Sequence, residues 1–300
     1  MTNLFTITRK DGSGVIIWSE DQKRFIINEY QNKNNTLKAI AEMFQVRPEA
    51  IRNLLRKENI PITNKQTQKY PRNSNFFDVI DTPQKAYWLG MFYADGCVKK
   101  NNQITLGLKD LEHVEKFKQA IAAINNKIIT IEDKRLNKIY YRYDFTIRDK
   151  QLHDSLIKQG VLVNKSYENF GLPQLLNLSL MRHFIRGYYD GDGGLTYKIN
   201  YDCPSKSHFK VSFTGNQQFL NELKCFLNRD KISLQQNSIS KITYDFSISG
   251  RQQVLSFLSW LYQDSDEFTR LDRKYNKYLE LSSYEAPHPR TRKCEVWPTI

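Results

Sequence analysis

The chain has 300 residues, of which 40% are hydrophobic and 13% aromatic, and this composition excludes an intrinsically disordered protein. Its 45 Lys and Arg residues outnumber its 32 Asp and Glu residues, and the formal net charge of +13 favours a polyanionic partner. A basic protein without such a partner is the alternative. No apolar run is long enough to cross a membrane, and the first ten residues lack the layout of a signal peptide. We therefore expect an intracellular protein, in a bacterium, a phage-infected cell or an organelle.

The spacing of the four cysteines predicts reduced thiols, because zinc sites and disulfide frameworks need clustered cysteines.

Residues 1–60 predict a small all-α domain with three short helices. The first begins near Ser19, the second covers residues 36–44, and the third begins at Pro48 after a tight turn around Val46. Two short helices joined by a tight turn, the second one basic, are typical of a helix-turn-helix DNA-binding domain. An ordinary three-helix bundle with a solvated charged face is the alternative. The basic residues predicted to contact DNA are Arg47, Arg52, Arg56 and Lys57.

Residues 61–80 predict a basic linker. The stretch from 61 to 76 holds two prolines and three positive charges with no negative one, so it could lie along a phosphate backbone. The sequence Asp81-Thr82-Pro83 that follows predicts the start of a helix.

The rest of the chain repeats itself. The apolar segment YWLGMFYADGCV at residues 87–98 returns as FIRGYYDGDGGL at 184–195, and YDF at 143–145 returns at 244–246. Each copy predicts the order helix, strand, strand, helix, strand, strand, helix. We therefore predict an α+β fold, a pseudo-twofold pair of αββαββα repeats at 81–170 and 171–281, followed by a basic tail at 282–300.

The strand predicted at residues 138–148 alternates between apolar and polar side chains. Such alternation predicts one sheet face buried under helices and one polar face. Two polar faces side by side would form a saddle-shaped surface, which is either plain solvent surface or a platform for nucleic acid. The residues predicted on the buried face are Ile139, Tyr141, Tyr143, Phe145 and Ile147.

Small residues line one face of each apolar helix. Within each helix they are four positions apart, so two helices could pack backbone to backbone along these faces. Such packing would bring Asp95 and Asp192, at the two helix ends, into proximity. The packing residues are Gly90, Ala94, Gly187 and Gly191.

Two carboxylates at helix C-termini repel each other and face the unfavourable end of the helix dipole. A bound cation would neutralise them, and oxygen ligands suit Mg²⁺ or Mn²⁺. The alternative is that Asp95 and Asp192 merely end their helices beside a glycine. Gly96 and Gly193 are expected to leave each helix in a left-handed conformation.

The segments WLGMFYADG, residues 88–96, and IRGYYDGDG, residues 185–193, resemble the two motifs of a monomeric LAGLIDADG homing endonuclease. The resemblance runs from about residue 80 to about residue 280, including the repeat order. It implies a protein that cuts both strands of a long asymmetric duplex DNA site across the minor groove with a divalent metal, leaving short 3′ overhangs. It also implies that Asp95 and Asp192 are the metal ligands. The first acid of the motif is replaced by Tyr93 in the first copy and kept as Asp190 in the second.

The resemblance further implies a catalytic lysine or glutamine at the end of the second strand of a repeat. Lys109 matches that position, and we expect Gly215 to be its counterpart, so that the two half-sites differ chemically. A solvated lysine before a helix is the alternative interpretation. Lys165 and Lys274 are further candidates.

The function expected is site-specific double-strand DNA cleavage by an intron-encoded or free-standing monomeric enzyme. A non-cutting protein on the same scaffold, either a transcription regulator or an intron RNA maturase, is the alternative, and intron RNA stays open as a partner. Both motifs keep their last acid, which favours the enzyme. No splicing-domain sequence flanks the repeats, so an intein is not expected, and no membrane partner is expected. The sheet residues expected to contact DNA are Lys138, Arg142, Arg148, Lys210 and Lys241.

Overall fold

A computed structural model places most of the chain in two units, Met1–Pro71 and Arg72–Ile300. The structure describes the backbone but not the side chains of Arg135 and Lys138, and it describes no part of Lys165 and Lys241. The described residues are 5–9, 16–31, 35–62, 71–135, 138–163, 170–200, 207–229, 231–236, 243–284 and 297–298.

The first unit contains the expected three helices and, in addition, one short pair of antiparallel strands. The elements are β1 (Thr8–Arg9), β2 (Ile16–Ile17), α1 (Glu20–Gln31), α2 (Leu37–Met43) and α3 (Pro48–Lys57). Helix α1 begins with a capping box, in which the Gln22 backbone N–H donates to Ser19 Oγ and the Ser19 N–H to Gln22 Oε1. The side chain of Thr36 caps α2 in the same way, by accepting from the Ala39 N–H. The core of this unit includes Ile26, Ile40, Phe44, Ile51 and Leu55.

The second unit consists of two αββαββα copies, which confirms the predicted α+β fold. The first copy contains α4 (Pro83–Ala94), β3 (Gly96–Lys99), β4 (Gln103–Leu108), α5 (Leu111–Ala120), β5 (Ile128–Arg135), β6 (Lys138–Arg148) and α6 (Lys150–Lys158). The second copy contains α7 (Met181–Asp192), β7 (Gly193–Lys198), β8 (His208–Gly215), α8 (Gln217–Phe226), β9 (Gln235–Gln236), β10 (Tyr244–Ser249) and α9 (Arg251–Tyr262), and is followed by α10 (Asp272–Ser283).

Each copy forms its own antiparallel four-stranded sheet with the same strand order. The orders are β3-β4-β6-β5 and β7-β8-β10-β9. Equivalent residues occupy equivalent registers, since Phe145 lies opposite Leu106 in the first sheet and Phe246 lies opposite Phe213 in the second.

Helices α4 and α7 lie in one continuous core that also takes in segments outside the repeats. Phe76 and Phe77 are buried in this core although they fall in the segment predicted to be a linker, and Arg72 pairs with Asp149 at 2.6 Å. From the tail, Trp297 packs on Phe257, while residues 285–296 lie outside the described part of the chain. No helix in the described ranges combines the length and apolar character needed to cross a membrane.

Strand β6 is only half covered, which corrects the predicted burial of Ile139 and Tyr141. These two side chains are 53% and 47% exposed, whereas Phe145 and Ile147 are buried. The reason lies in the pairing. Strand β6 pairs with both β4 and β5 only at residues 143–145, and its earlier residues pair with β5 alone. The outer part is therefore a two-stranded ribbon that extends past the four-stranded sheet.

Candidate functional site

Helices α4 and α7 touch through reciprocal glycine contacts. A Cβ atom built on Gly90 would lie 2.0 Å from the carbonyl oxygen of Phe184, and one built on Gly187 would lie 1.9 Å from that of Tyr87. Gly187 and Phe184 are the repeat counterparts of Gly90 and Tyr87, so the two contacts are equivalent. Any side chain at either glycine would collide with backbone, and the close approach of the helices therefore depends on both glycines.

The carboxyl ends of these helices bring Asp95 and Asp192 close together. A Cβ atom on Gly191 would lie 2.3 Å from Cβ of Ala94 and 3.0 Å from Oδ2 of Asp95. Asp95 caps α4, Asp192 is the last residue of α7, and both are exposed. Burial, followed by the charges of Asp192 and Asp95, raises the pKa of Tyr188 well above its ordinary value. Both carboxylates therefore lie near one phenol.

The glycines after the two acids serve close packing and not a left-handed turn. The positive-φ glycines in the described part of the chain are Gly160 and Gly250, so the conformation expected at Gly96 and Gly193 is wrong. Gly193 is extended, with φ −89° and ψ 160°. A Cβ on Gly96 would lie 2.3 Å from the Phe92 ring, and one on Gly193 would lie 2.2 Å from the ring of Tyr189. An aromatic side chain from the preceding turn fills the space that a side chain would need.

Lys274, on α10, caps the carboxyl end of α7. Its Nζ donates to the carbonyl oxygens of Tyr189 at 2.6 Å, Gly193 at 2.5 Å and Gly191 at 3.3 Å. Carbonyl groups at the carboxyl end of a helix carry partial negative charge, so a cation stabilises them. Burial lowers the pKa of Lys274 to about 8, and the nearby carboxylates, including Asp95 and Asp192, act in the opposite direction.

Asp190 joins the two copies through a buried hydrogen-bond network. Its carboxylate accepts from Tyr87 Oη at 2.8 Å, from Tyr262 Oη at 3.0 Å and from the Leu271 backbone N–H at 2.7 Å. Burial raises the pKa of Asp190, while the charge of Lys274 and these hydrogen bonds oppose that rise. Leu271 is the N-cap of α10, so Asp190 fixes the start of the helix that carries Lys274.

A second layer of buried polar groups supports Tyr87 and α7. Because the Tyr87 hydroxyl hydrogen goes to Asp190, Nε2 of His113 is the donor in its 2.8 Å contact with Tyr87 Oη. Burial lowers the pKa of His113 to about 3, which keeps the ring neutral. The fully buried Arg186 guanidinium donates from Nε to the Thr269 carbonyl at 2.7 Å and from Nη1 to the Leu261 carbonyl at 3.0 Å.

The donor set at the helix ends suits a hard divalent cation. Asp95 and Asp192 offer carboxylate oxygens only, and Mg²⁺ typically binds through one or two carboxylates while it keeps several waters. Among the described residues, no group of three or more His, Cys, Asp or Glu side chains is placed to hold a metal. A closed, all-protein metal cage is therefore not built here, and the two acids fit an ion that shares its coordination with water and substrate.

Comparison with solved structures finds meganucleases and LAGLIDADG homing endonucleases. Meganuclease I-SmaMI bound to uncleaveable DNA is 14% identical, with 67% of this chain and 89% of that chain covered and a TM-score of 0.44. LAGLIDADG meganuclease I-AabMI bound to uncleaved DNA is 15% identical, covering 68% of this chain and 90% of that one, with a TM-score of 0.43. The chain is similar in fold to LAGLIDADG homing endonucleases.

Two curated relatives match this chain over only a small part of their own length. A replication factor C small subunit of Methanocaldococcus jannaschii is 25% identical over 244 residues, 77% of this chain but 12% of that protein. A SEY1 homologue of Paramecium tetraurelia is 29% identical over 216 residues, 59% of this chain and 27% of that protein. The chain thus spans about an eighth and about a quarter of the two relatives. No family model matches the chain.

Lys109, the predicted catalytic lysine, lies exposed between the end of β4 and Asp110, the N-cap of α5. Its predicted counterpart is wrong. Gly215 lies opposite Tyr244 as Leu108 lies opposite Tyr143, so Gly215 corresponds to Leu108. The second copy passes directly from β8 to its helix cap, Asn216, and one residue is missing there. Lys109 therefore has no equivalent in the second copy.

The other predicted basic residues are on the surface of their own units. In the first unit, Arg47 is the N-cap of α3, Arg52 pairs with Glu49 at 3.4 Å, and Arg56 and Lys57 occupy the last turn. In the second unit, three of the five predicted sheet residues have described side chains, and all three are exposed. They are Arg142, Arg148 and Lys210.

Proposed function

We propose that the chain is a site-specific DNA endonuclease that hydrolyses a phosphodiester bond in each strand of a duplex with Mg²⁺ or Mn²⁺. The observation that carries the proposal is the convergence of Asp95 and Asp192 at the ends of two helices joined by reciprocal glycine contacts. Two acids set close together in this way repel, and a bound cation would offset that repulsion. The protein acts as a monomer, encoded in an intron or as a free-standing mobile element.

Asp95 and Asp192 would hold the metal, and two lysines would assist the reaction through their positions and charges. When bound, the metal lowers the pKa of a water and stabilises the leaving oxygen. Lys274 holds the end of α7 and so the direction of Asp192, and its charge reduces the repulsion between the two acids. Lys274 is therefore a positioning residue, while Lys109 is exposed and remains the candidate for contact with the scissile phosphate.

The polar sheet faces would lie in the major groove and the first unit would add contacts outside the main site. Phosphate contacts supply most of the affinity of such a complex, and contacts with base edges supply its specificity. Arg148 and Lys210 suit phosphate contact because they are exposed cations on the sheets. In the first unit, helix α3 would enter a major groove with its basic face, as the second helix of a helix-turn-helix does.

The test is cleavage of a randomised duplex library by the full chain with Mg²⁺, with Mn²⁺ and with a chelator. The wild type should cut both strands at one sequence, and Asp95→Asn and Asp192→Asn should each abolish cutting while they still bind that sequence. Asp154→Asn is the matched control, because Asp154 is an exposed acid on α6, paired with Lys150. Specific binding by a wild type that never cuts would instead mean a regulator, and preferred binding of structured RNA would mean a maturase.

A further inference from the structure

One arginine on the first sheet is held by a neighbouring acid. Arg142 and Asp144 form two parallel contacts, Nε to Oδ1 at 2.8 Å and Nη2 to Oδ2 at 3.0 Å. Two residues apart on β6, they point to the same sheet face. The arginine side chain is 56% exposed while the aspartate is only 14% exposed. The acid is therefore a support beneath a guanidinium that faces outward.

The strand beside this pair leaves room for it. Gly107 lies directly opposite Asp144 on β4, and a Cβ atom there would lie 2.4 Å from Asp144 Oδ1 and 3.4 Å from Arg142 Nε. Any larger residue at position 107 would displace the carboxylate. The glycine therefore belongs to the same local structure as the ion pair.

The second copy lacks this arrangement. Asp245 is the counterpart of Asp144, but the residue opposite it is Thr214, whose hydroxyl donates to Oδ1 of Asp245. The position equivalent to Arg142 is occupied by Thr243. The supported arginine therefore exists in one half of the pseudo-dimer only.

The donors that remain on Arg142 match one base. Guanidinium has five N–H groups, and Asp144 takes the one on Nε and one on Nη2. Those left, two on Nη1 and one on Nη2, form a fork that fits O6 and N7 of guanine in the major groove. Neutralisation by Asp144 weakens attraction to phosphate but leaves the direction of these donors fixed, which suits a neutral base edge.

We propose that Arg142, oriented by Asp144 and Gly107, reads a guanine in the major groove of the target half bound by the first sheet. The inference rests on the proposed DNA-binding function. Ile129 and Ile131, opposite Asp144 and Arg142 on the same sheet face, provide apolar contact for a thymine methyl group at the adjoining base pair. The target is therefore asymmetric at this position, with guanine required in one half and no equivalent requirement in the other.

The test is a binding selection from randomised duplex DNA with the full chain, repeated with variants and followed by affinity measurements. Wild type should select guanine at one position, and replacing that guanine should weaken binding about ten- to hundred-fold. Arg142→Ala removes every donor and should abolish the preference. Arg142→Gln should shift it to adenine, which Gln matches. Asp144→Asn should reduce the preference without reducing affinity for unrelated DNA, because a negative charge is removed from the surface.

Two controls separate base recognition from other effects. Arg148, on the same strand and face, pairs with no carboxylate in the described part of the chain, and Arg148→Gln should weaken binding equally for all sequences. Asp245→Asn should leave the guanine position unchanged. The inference is overturned if Arg142→Ala keeps the guanine preference, or if Arg142→Gln weakens binding evenly across sequences. If either result is found while wild type still selects and cuts one sequence, only the inference about Arg142 is wrong. A wild type that selects no sequence overturns the proposed function as well.

Discussion

The hydroxyl of Tyr87 in the first motif helix donates a 2.8 Å hydrogen bond to the carboxylate of Asp190 in the second. The same carboxylate holds Leu271, at the start of the helix that delivers Lys274 to the end of α7. The first acid of the second motif is therefore buried and bonded inside the protein, while the last acid, Asp192, lies exposed at its surface. In the first copy Tyr93 takes the internal position and donates instead to the Gln159 carbonyl.

Asp190→Asn should destabilise the second unit. Tyr87 and Leu271 donate to one oxygen of Asp190 and Tyr262 donates to the other, so an amide oxygen could keep the first two while the amide N–H group would face the Tyr262 hydroxyl. At least one buried hydrogen bond to a charged acceptor is therefore lost. The expected loss in the free energy of unfolding is about 1–3 kcal/mol. Urea unfolding checks it, with the exposed Asp154→Asn expected to stay within about 0.5 kcal/mol of wild type. Equal unfolding curves for Asp190→Asn and wild type would show that the network contributes little.

Gly90→Ala and Gly187→Ala should destabilise the helix pair to similar extents. Each new methyl group would lie about 2 Å from a backbone carbonyl oxygen, and overpacking of this kind costs typically 1–3 kcal/mol or more. Gly194→Ala is the matched control, since its nearest neighbour is the rotatable Ser212 hydroxyl at 2.8 Å. Thermal unfolding of the three variants measures the difference. A tolerated alanine at Gly187 would contradict the packing of α4 on α7.

Acid should destabilise the protein through His113. Burial lowers the pKa of His113 in the folded state to about 3, below the ordinary value of 6.5, so the unfolded chain binds the proton more tightly. The charge of Lys116 adds to this effect, while those of Asp110 and Asp272 oppose it. The free energy of unfolding therefore decreases progressively as pH falls from 6.5 towards 3. The loss is about 1.4 kcal/mol for each tenfold difference in proton affinity between the folded and unfolded states.

The variant His113→Gln isolates that contribution, because Gln can still donate to the Tyr87 hydroxyl but has no proton to gain. Its free energy of unfolding, measured by urea titration at several pH values, should fall less steeply below pH 6.5 than that of wild type. Parallel curves for the two proteins would assign the acid sensitivity to other groups. His183, whose pKa burial lowers to about 4, would be the next variant to compare.

Lys274→Met should impair cleavage more than binding. The variant removes the donor to three carbonyl oxygens at the end of α7 and the positive charge near Asp95 and Asp192. We expect the cleavage rate at saturating Mg²⁺ to fall at least tenfold, since about 1.4 kcal/mol of positioning energy corresponds to that factor. The DNA dissociation constant, measured in chelator, should change far less. Lys277→Met, on the exposed side of the same helix, should match wild type in both measurements.

Local signals in the sequence predicted much of the fold. The cap residues Ser19, Thr36 and Thr82 start their helices as expected, because a cap depends on residues only three positions away. The repeat predicted the sheets and the contact of the two motif helices for a similar reason, since small residues four apart already define a helix face.

Other features depend on distant partners and could not be predicted. Tyr87 and Asp190 are 103 residues apart, and Leu271 lies 81 residues from Asp190. The exposure of Ile139 depends on where β4 stops pairing with β6, and the missing counterpart of Lys109 depends on the register of β8 with β10. None of these relations leaves a periodic signal in a single segment. Arg142 was predicted as a DNA contact, but its support by Asp144 depends on a glycine in another strand.

The most direct test of the central claim is strand-resolved cleavage of the selected duplex by wild type, Asp95→Asn and Asp192→Asn in Mg²⁺, with binding measured in parallel. Metal-dependent cutting of both strands by wild type, lost in each variant while sequence-specific binding persists, is the result that the convergence of the two acids predicts. Cutting at the wild-type rate by both variants would contradict it, because the carboxylates at the ends of α4 and α7 would then have no part in the reaction.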